Sequence, residues 1–175
     1  MTAFAIGRPS PNEYSEYHQL YISKVPDGQI MTILRDQLDE AITLFKTIPE
    51  SKGDYRYEPG KWTLKEVIGH LSDGERIMAY RALRFARNDQ TPLPGFEQDD
   101  YIPYSNSNEC SLADLINEFA TLRESTLTMF KNFSNDSWER VGTASGNRVS
   151  VRGMAYIIAG HLEHHLRIIR EKYLA

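Results

Sequence analysis

Residues Ser150–Arg170 read S-V-R-G-M-A-Y-I-I-A-G-H-L-E-H-H-L-R-I-I-R, and their periodicity decides the fold class. Met154, Ala155, Ile158, Leu162, Leu166 and Ile169 recur at steps of one, three and four, the pattern of one helical face. Ser150 stands where an N-cap belongs. The same stretch holds three of the chain's five histidines, His161, His164 and His165. His161 and His165 are one turn apart, which puts their Cβ atoms ~5–6 Å from each other. They lie beside Met154, Ile158 and Ile169, so the pair points toward the interior.

Three further amphipathic stretches precede this one. The first runs from about Asp27, a candidate N-cap, to Ile48 before Pro49, with Ile30, Leu34, Leu38, Ala41, Phe45 and Ile48 on one face. The second opens on a capping box, Thr63 with Glu66, and carries Leu64, Ile68, Leu71, Met78, Ala82 and Phe85 to about Ala86. The third opens at Ser111 with Asp114 and runs through Leu112, Leu115, Ile116, Phe119, Leu122, Met129, Phe130 and Phe133. Four such stripes must bury against one another. The expected architecture is all-α, a four-helix bundle, with residues 1–175 as a single domain. Strand signals are confined to Arg148–Val151. Asn88–Cys110, with Pro92, Pro94, Gly95 and Pro103, is a long loop between helices 2 and 3. It is either a lid or pocket wall, or the crossover that joins two parallel helices, and the two roles are compatible. Near the N-terminus, Tyr14, Tyr17 and Tyr21 have the spacing of a short helix that lays aromatics on the bundle.

Composition narrows the function classes. Lys and Arg number 20 against 24 Asp and Glu, a net charge of -4. With no basic run, nucleic acid is not an expected partner. No apolar stretch approaches the ~18 residues of a membrane span. The first twenty residues carry Arg8, Glu13 and Glu16 and no apolar core of a signal peptide. Cys110 is the single cysteine, which excludes an internal disulfide. The cytoplasm is the default expectation, and an apolar bundle face left exposed would make a homodimer.

Two inward imidazoles at one-turn spacing either ligate a metal ion or are satisfied by backbone and carboxylate groups. In the first case the second nitrogen of each ring is expected to donate to an oxygen acceptor behind it. His70 is a third inward histidine, at the edge of the Val67–Leu71 stripe, with Gly74 leaving room one turn later. The string H-L-E-H-H lacks the order H-E-x-x-H, because Glu163 holds the wrong position, so it is not a zincin motif. His164 is rotated away from the pair, and His18 is read as structural. Asp73 and Glu75 stand near His70. They are either acid–base groups or members of an ion-pair network with Arg76 and Arg81 as partners, the network being favoured. Cys110 has no neighbouring histidine to activate it and reads as structural. Trp62 and Trp138 read as packing anchors at helix ends.

The segment from Tyr55 to Arg76, Y-R-Y-E-P-G-K-W-T-L-K-E-V-I-G-H-L-S-D-G-E-R, resembles the signature that surrounds the first metal ligand in the DinB/YfiT-like family. It continues through Ala79–Asp89 and Pro92–Gln98. Val149–His165 resembles the family's last helix, and V-P-D-G at Val25–Gly28 its first-helix entrance. The resemblance covers nearly the whole chain. It implies a four-helix bundle of unusual connectivity and a divalent metal, zinc or nickel, on His70, His161 and His165. It further implies a metal-dependent transferase using a low-molecular-weight thiol, or a hydrolase, acting on a small molecule. The alternative is a non-catalytic metal-containing stress-response or binding protein. Three neutral nitrogens leave coordination positions open, the pattern of a catalytic metal, which lowers the pKa of a water toward ~7 or holds a thiolate.

Overall fold

The computed structural model describes residues 6–175. It contains α1 (Gln19–Ile22), α2 (Ile30–Lys46), α3 (Leu64–Ala86), α4 (Gln98–Tyr101) and α5 (Leu112–Lys131), then a hairpin of β1 (Val141–Ala144) and β2 (Asn147–Ser150), and α6 (Val151–Ile168). The last helix widens into a π-helical turn at Ile169–Tyr173. The four long helices, α2, α3, α5 and α6, form the bundle.

The first, second and fourth predicted stripes are the faces their helices bury, whereas in the third Leu122 and Met129 are half-buried and Arg123, Thr126 and Leu127 are buried in addition. Ile30, Leu34, Leu38, Ala41, Phe45 and Ile48 are all in the core, as are Leu64, Ile68, Leu71, Met78, Ala82 and Phe85. Three helix starts are capped by the expected residues. Thr63 and Glu66 close a reciprocal capping box, and the hydroxyls of Ser111 and Ser150 accept from the N–H groups of Asp114 and Gly153. The first long helix differs. It begins at Ile30 after Gln29, not at Asp27, whose carboxylate instead accepts from Arg8 Nε at 3.0 Å. Gly28, at φ 150°, separates the two.

The connectivity departs from a simple up-and-down bundle. α2 packs against α5 and α6, and α3 packs against the same two helices. Consecutive long helices α2 and α3 therefore face each other across the diagonal, as do α5 and α6. His70 meets His165 while Gly74 meets His161, so α3 and α6 run antiparallel. The loop after α3 starts at its C-terminal end and returns to its N-terminal end. There Asn108 accepts from Thr63 Oγ1 and donates to Glu66 Oε1, both at 2.7 Å. The long connection is thus a crossover that lets α5 run alongside α3 in the same sense. It contains α4 and short 3₁₀ turns. This return path also explains why α3 is buried almost all round from Leu64 to Ser72.

The hairpin corrects the strand reading. β2 ends at Ser150, and Val151 already belongs to α6. Its partner, Val141–Ala144, was not anticipated. The Ser145-Gly146 turn that joins them has φ of 52° and 73°, the double positive φ of a two-residue hairpin loop. The S-G pair was the available signal. The hairpin holds the long loop through mutual backbone bonds, Leu93 N–H to Thr143 O and Ser145 N–H to Leu93 O. At the other end of the chain, Glu13 accepts from Ser150 Oγ and the Arg152 guanidinium and so pins the N-terminal segment to the start of α6.

Candidate metal centre

Antiparallel packing brings the first half of α3 against the second half of α6, and His70, His161 and His165 meet there. All three are buried, and one ring nitrogen of each lies within 4.8 Å of the others. The Nε2 atoms of His70 and His161 are 3.0 Å apart. Two imidazole nitrogens bound tetrahedrally to one zinc ion at ~2.0–2.1 Å would stand about 3.3 Å apart, so the rings are set at nearly that separation. The three ring centroids are 4.7–4.9 Å from one another.

Two glycines make this approach possible. A Cβ at Gly74 would lie 2.9 Å from Cε1 of His161, so the room Gly74 provides is used by His161 and not, as the sequence suggested, by His70. Gly160 lets the backbone carbonyl of Tyr21 press onto α6, where a Cβ would collide with it. That contact docks α1 beside the triad. Tyr21 then meets His161 and His164 edge-on, with centroids 5.7 and 6.1 Å apart. On the far side Trp62 lies 4.8 Å from the His70 ring. Trp62 is thus a wall of the site as well as a helix-end anchor; Trp138 is an anchor alone, packed on Phe130 and Phe133.

Burial is the first cause of the imidazoles' electrostatics. It holds His70 at about 4, well under the usual 6.5, and keeps His161 and His165 well below that value too. Neighbouring imidazoles reinforce the effect at His161 and His165. At neutral pH all three rings are uncharged and offer lone pairs. None of them hydrogen-bonds to a carbonyl or carboxylate oxygen of a described residue. The oxygen acceptor expected behind each ring is therefore missing. Gly74, Trp62 and the other rings take up the space instead. Three neutral, inward rings whose mutual hydrogen-bond contact is His70 Nε2 to His161 Nε2 suit a transition-metal ion, which takes lone pairs that converge on one point.

The triad opens on two cavities. One, of about 290 Å³, is lined by His70, His161, His18, Tyr17, Arg81 and Phe96 among others. The second, of about 510 Å³, is lined by His164, His165, Trp62, Tyr57 and Tyr173 among others. Gln98 and Asp99 line both, so the long loop forms a wall of each. Asp99 is also the carboxylate whose charge acts on His70, in the direction that favours protonation.

The remaining candidates fall elsewhere. Asp73 is half-buried, paired with Arg76 at 3.7 Å, and lines neither cavity. Glu75 is buried and paired, but its partner is Arg123 of α5, whose Nε donates to both carboxylate oxygens at 2.8 and 2.9 Å, rather than Arg76 or Arg81. Arg123 also donates to Leu34 O and so ties α2, α3 and α5 together. Cys110 donates weakly to Asn106 O, away from both cavities. His164 lines the second cavity, with Nδ1 buried and unpartnered among the described residues. His18, expected to be merely structural, lines the first cavity. There burial and then the charge of Arg81 hold it at about 4, and Ser15 Oγ lies 3.3 Å from its Nδ1. His18 and Arg81 were missed because nothing local in sequence links them to His70. The tyrosines expected on one short helix are divided: Tyr14 is extended, Tyr17 is exposed in a 3₁₀ turn, and of the three Tyr21 alone lies in α1.

A buried His₃ cluster between two antiparallel helices of a diagonally connected bundle defines a class, and the sequence comparison supplies its family. Residues 33–169 match the sequence model of the DinB superfamily, and the chain belongs to that superfamily. Among individual proteins, it is 23% identical over 116 residues to a protein of Oceanobacillus iheyensis that is provisionally named a metal-dependent hydrolase. That alignment covers 65% of this chain and 66% of the relative. The fold is similar to that of YfiT from Bacillus subtilis, with a TM-score of 0.66 at 15% identity, covering 90% of this chain and 86% of that one. YfiT's own description gives it an unusual four-helix bundle topology. Among the described residues, no helix is long and apolar enough to cross a membrane.

Proposed function

We propose that this chain is a metal-dependent hydrolase acting on a small molecule, with one divalent ion, zinc or nickel, held by His70, His161 and His165. The observation that carries the reading is the triad itself: three buried, uncharged imidazoles converging at the mouth of two cavities. The names given to the Oceanobacillus iheyensis relative and to YfiT, both as metal-dependent hydrolases, favour the same class. An ion on three protein nitrogens with open positions supplies Lewis acidity, which polarises a substrate oxygen or activates a nucleophile.

The chain's own residues do the rest. Tyr21, edge-on to His161, and Trp62, tilted on His70, hold the imidazole planes. Met78, Met154 and Ile157 give the first cavity an apolar floor on which a substrate body settles. His18, uncharged at neutral pH and oriented by Ser15, offers a hydrogen-bonding ring nitrogen on the wall of that cavity.

A second reading, transfer of a low-molecular-weight thiol to an electrophile, is favoured by the second cavity, since transfer needs room for two substrates beside the metal. The test uses untagged protein loaded with zinc or nickel and assayed against panels of esters, amides and lactones, and against thiol–electrophile pairs. Hydrolysis that EDTA abolishes, metal restores and His161→Ala lacks is the expected result. Turnover confined to thiol–electrophile pairs would replace hydrolysis by transfer. Stoichiometric metal without turnover in either panel would point to the non-catalytic alternative, a metal-containing stress-response or binding protein.

A further inference from the structure

Arg81 sits three helical turns beyond His70 on the same face of α3, about 16 Å along the axis. It is 9% exposed and lines the same cavity as His70 and His161. Its Nη2 donates to Pro94 O at 2.8 Å and to Ser145 Oγ at 3.0 Å. Its Nε and Nη1 have no partner among the described residues. No carboxylate of a described residue pairs with it, although Glu97 and Asp99 line the same cavity.

Arg81 differs in this from Arg123, the molecule's other buried arginine, which is matched by Glu75. Loop anchoring explains Nη2 alone. Nε–H and the Nη1 N–H groups, which lie on different edges of the guanidinium, have no partner among the described residues, and each can donate singly to an oxygen of a carboxylate in the cavity. We propose that Arg81 binds a carboxylate of the substrate, at the end of the cavity opposite the histidine triad. This rests on the triad being the reacting end. It deepens the functional reading by naming a substrate class: an elongated molecule with an anionic group on the order of 10 Å from its reacting group. Phe96, Met78 and Ile157 line the same cavity and suit an apolar spacer.

The probe is suberic acid monohydroxamate, which carries a metal-seeking hydroxamate and a carboxylate on an eight-carbon chain. It is compared with its neutral terminal amide and with acetohydroxamate on zinc-loaded protein by calorimetry. The acid should bind about ten- to a hundredfold tighter than the amide, the worth of a charge-assisted pair. Arg81→Met should erase that preference and leave acetohydroxamate affinity unchanged. Ser145→Ala, which removes only an anchor, should keep the preference. Equal affinity for acid and amide in the wild type, or a preference that survives in Arg81→Met, overturns the assignment. If acetohydroxamate fails to bind the wild type, the metal reading fails, and a metal-free measurement decides Arg81. Suberate should shift the side-chain Nε–H NMR signal of Arg81, identified by its loss in Arg81→Lys. An unmoved signal at saturating suberate overturns the proposal.

Discussion

One methyl group at Gly74 would meet the His161 ring at 2.9 Å, so Gly74→Ala should push that imidazole out of register. We expect metal affinity to fall at least tenfold while the circular dichroism spectrum stays that of the wild type; an unchanged dissociation constant would show that the ring has room to spare. Glu75→Ala leaves the Arg123 guanidinium buried without its acid. Breaking such a pair costs about 3–5 kcal/mol, to be read as a lower midpoint in urea. The buried histidines make the metal-free fold acid-sensitive. His18 and His70 titrate near 4 in the fold and near 6.5 when exposed, so below 6.5 the unfolded chain takes up protons first. Stability should then fall as pH drops from 6.5 to 4, by up to about 1.4 kcal/mol per pH unit for each ring, and level off below that. A flat melting temperature across this range in metal-free protein contradicts the burial argument. The triad was legible because two of its members share a helix face and the third falls on another stripe. Arg123 and His18 were not, because their partners are distant in sequence.

Among the elements, helix starts were the most legible feature, since capping is local chemistry. Thr63, Ser111 and Ser150 each satisfy an N–H three residues on, whereas Asp27 was drawn away by Arg8. The β1–β2 hairpin was half-hidden because Val141–Ala144 is too short to show alternation. The long loop was visible as a loop, and its two candidate roles coexist: it crosses over to start α5 and walls both cavities on the way. Phe96, which contacts Tyr101 at 5.4 Å and faces Arg81, is the aromatic loop side chain among those that line the first cavity. Phe96→Ala should leave metal content unchanged and weaken binding of suberic acid monohydroxamate several-fold; lost metal would mean that the loop supports the triad rather than the cavity. α1 depends on one close approach. Gly160→Ala should lift Tyr21 from α6 and cost about 1–3 kcal/mol, the usual penalty of overpacking. Protease sensitivity confined to the N-terminal segment is the readout.

For the molecule as a whole, stripe positions predicted which faces are buried but not which helices are neighbours. Every pairing of four amphipathic helices buries the same residues, so the diagonal placement of α2 opposite α3 was not legible in the periodicity; the long loop and the resemblance pointed only to a crossover and an unusual connectivity. That connectivity matters because it sets α3 antiparallel to α6 and joins His70 to the histidine pair. The central claim is that these three side chains hold one ion. X-ray absorption at the zinc edge on untagged, zinc-loaded protein measures it directly. The account predicts about one zinc per chain with three imidazole nitrogens at ~2.0–2.1 Å and at least one non-protein oxygen donor, and loss of the bound metal in His161→Ala. Zinc that persists in that variant, or a shell with fewer than three imidazoles, would contradict it.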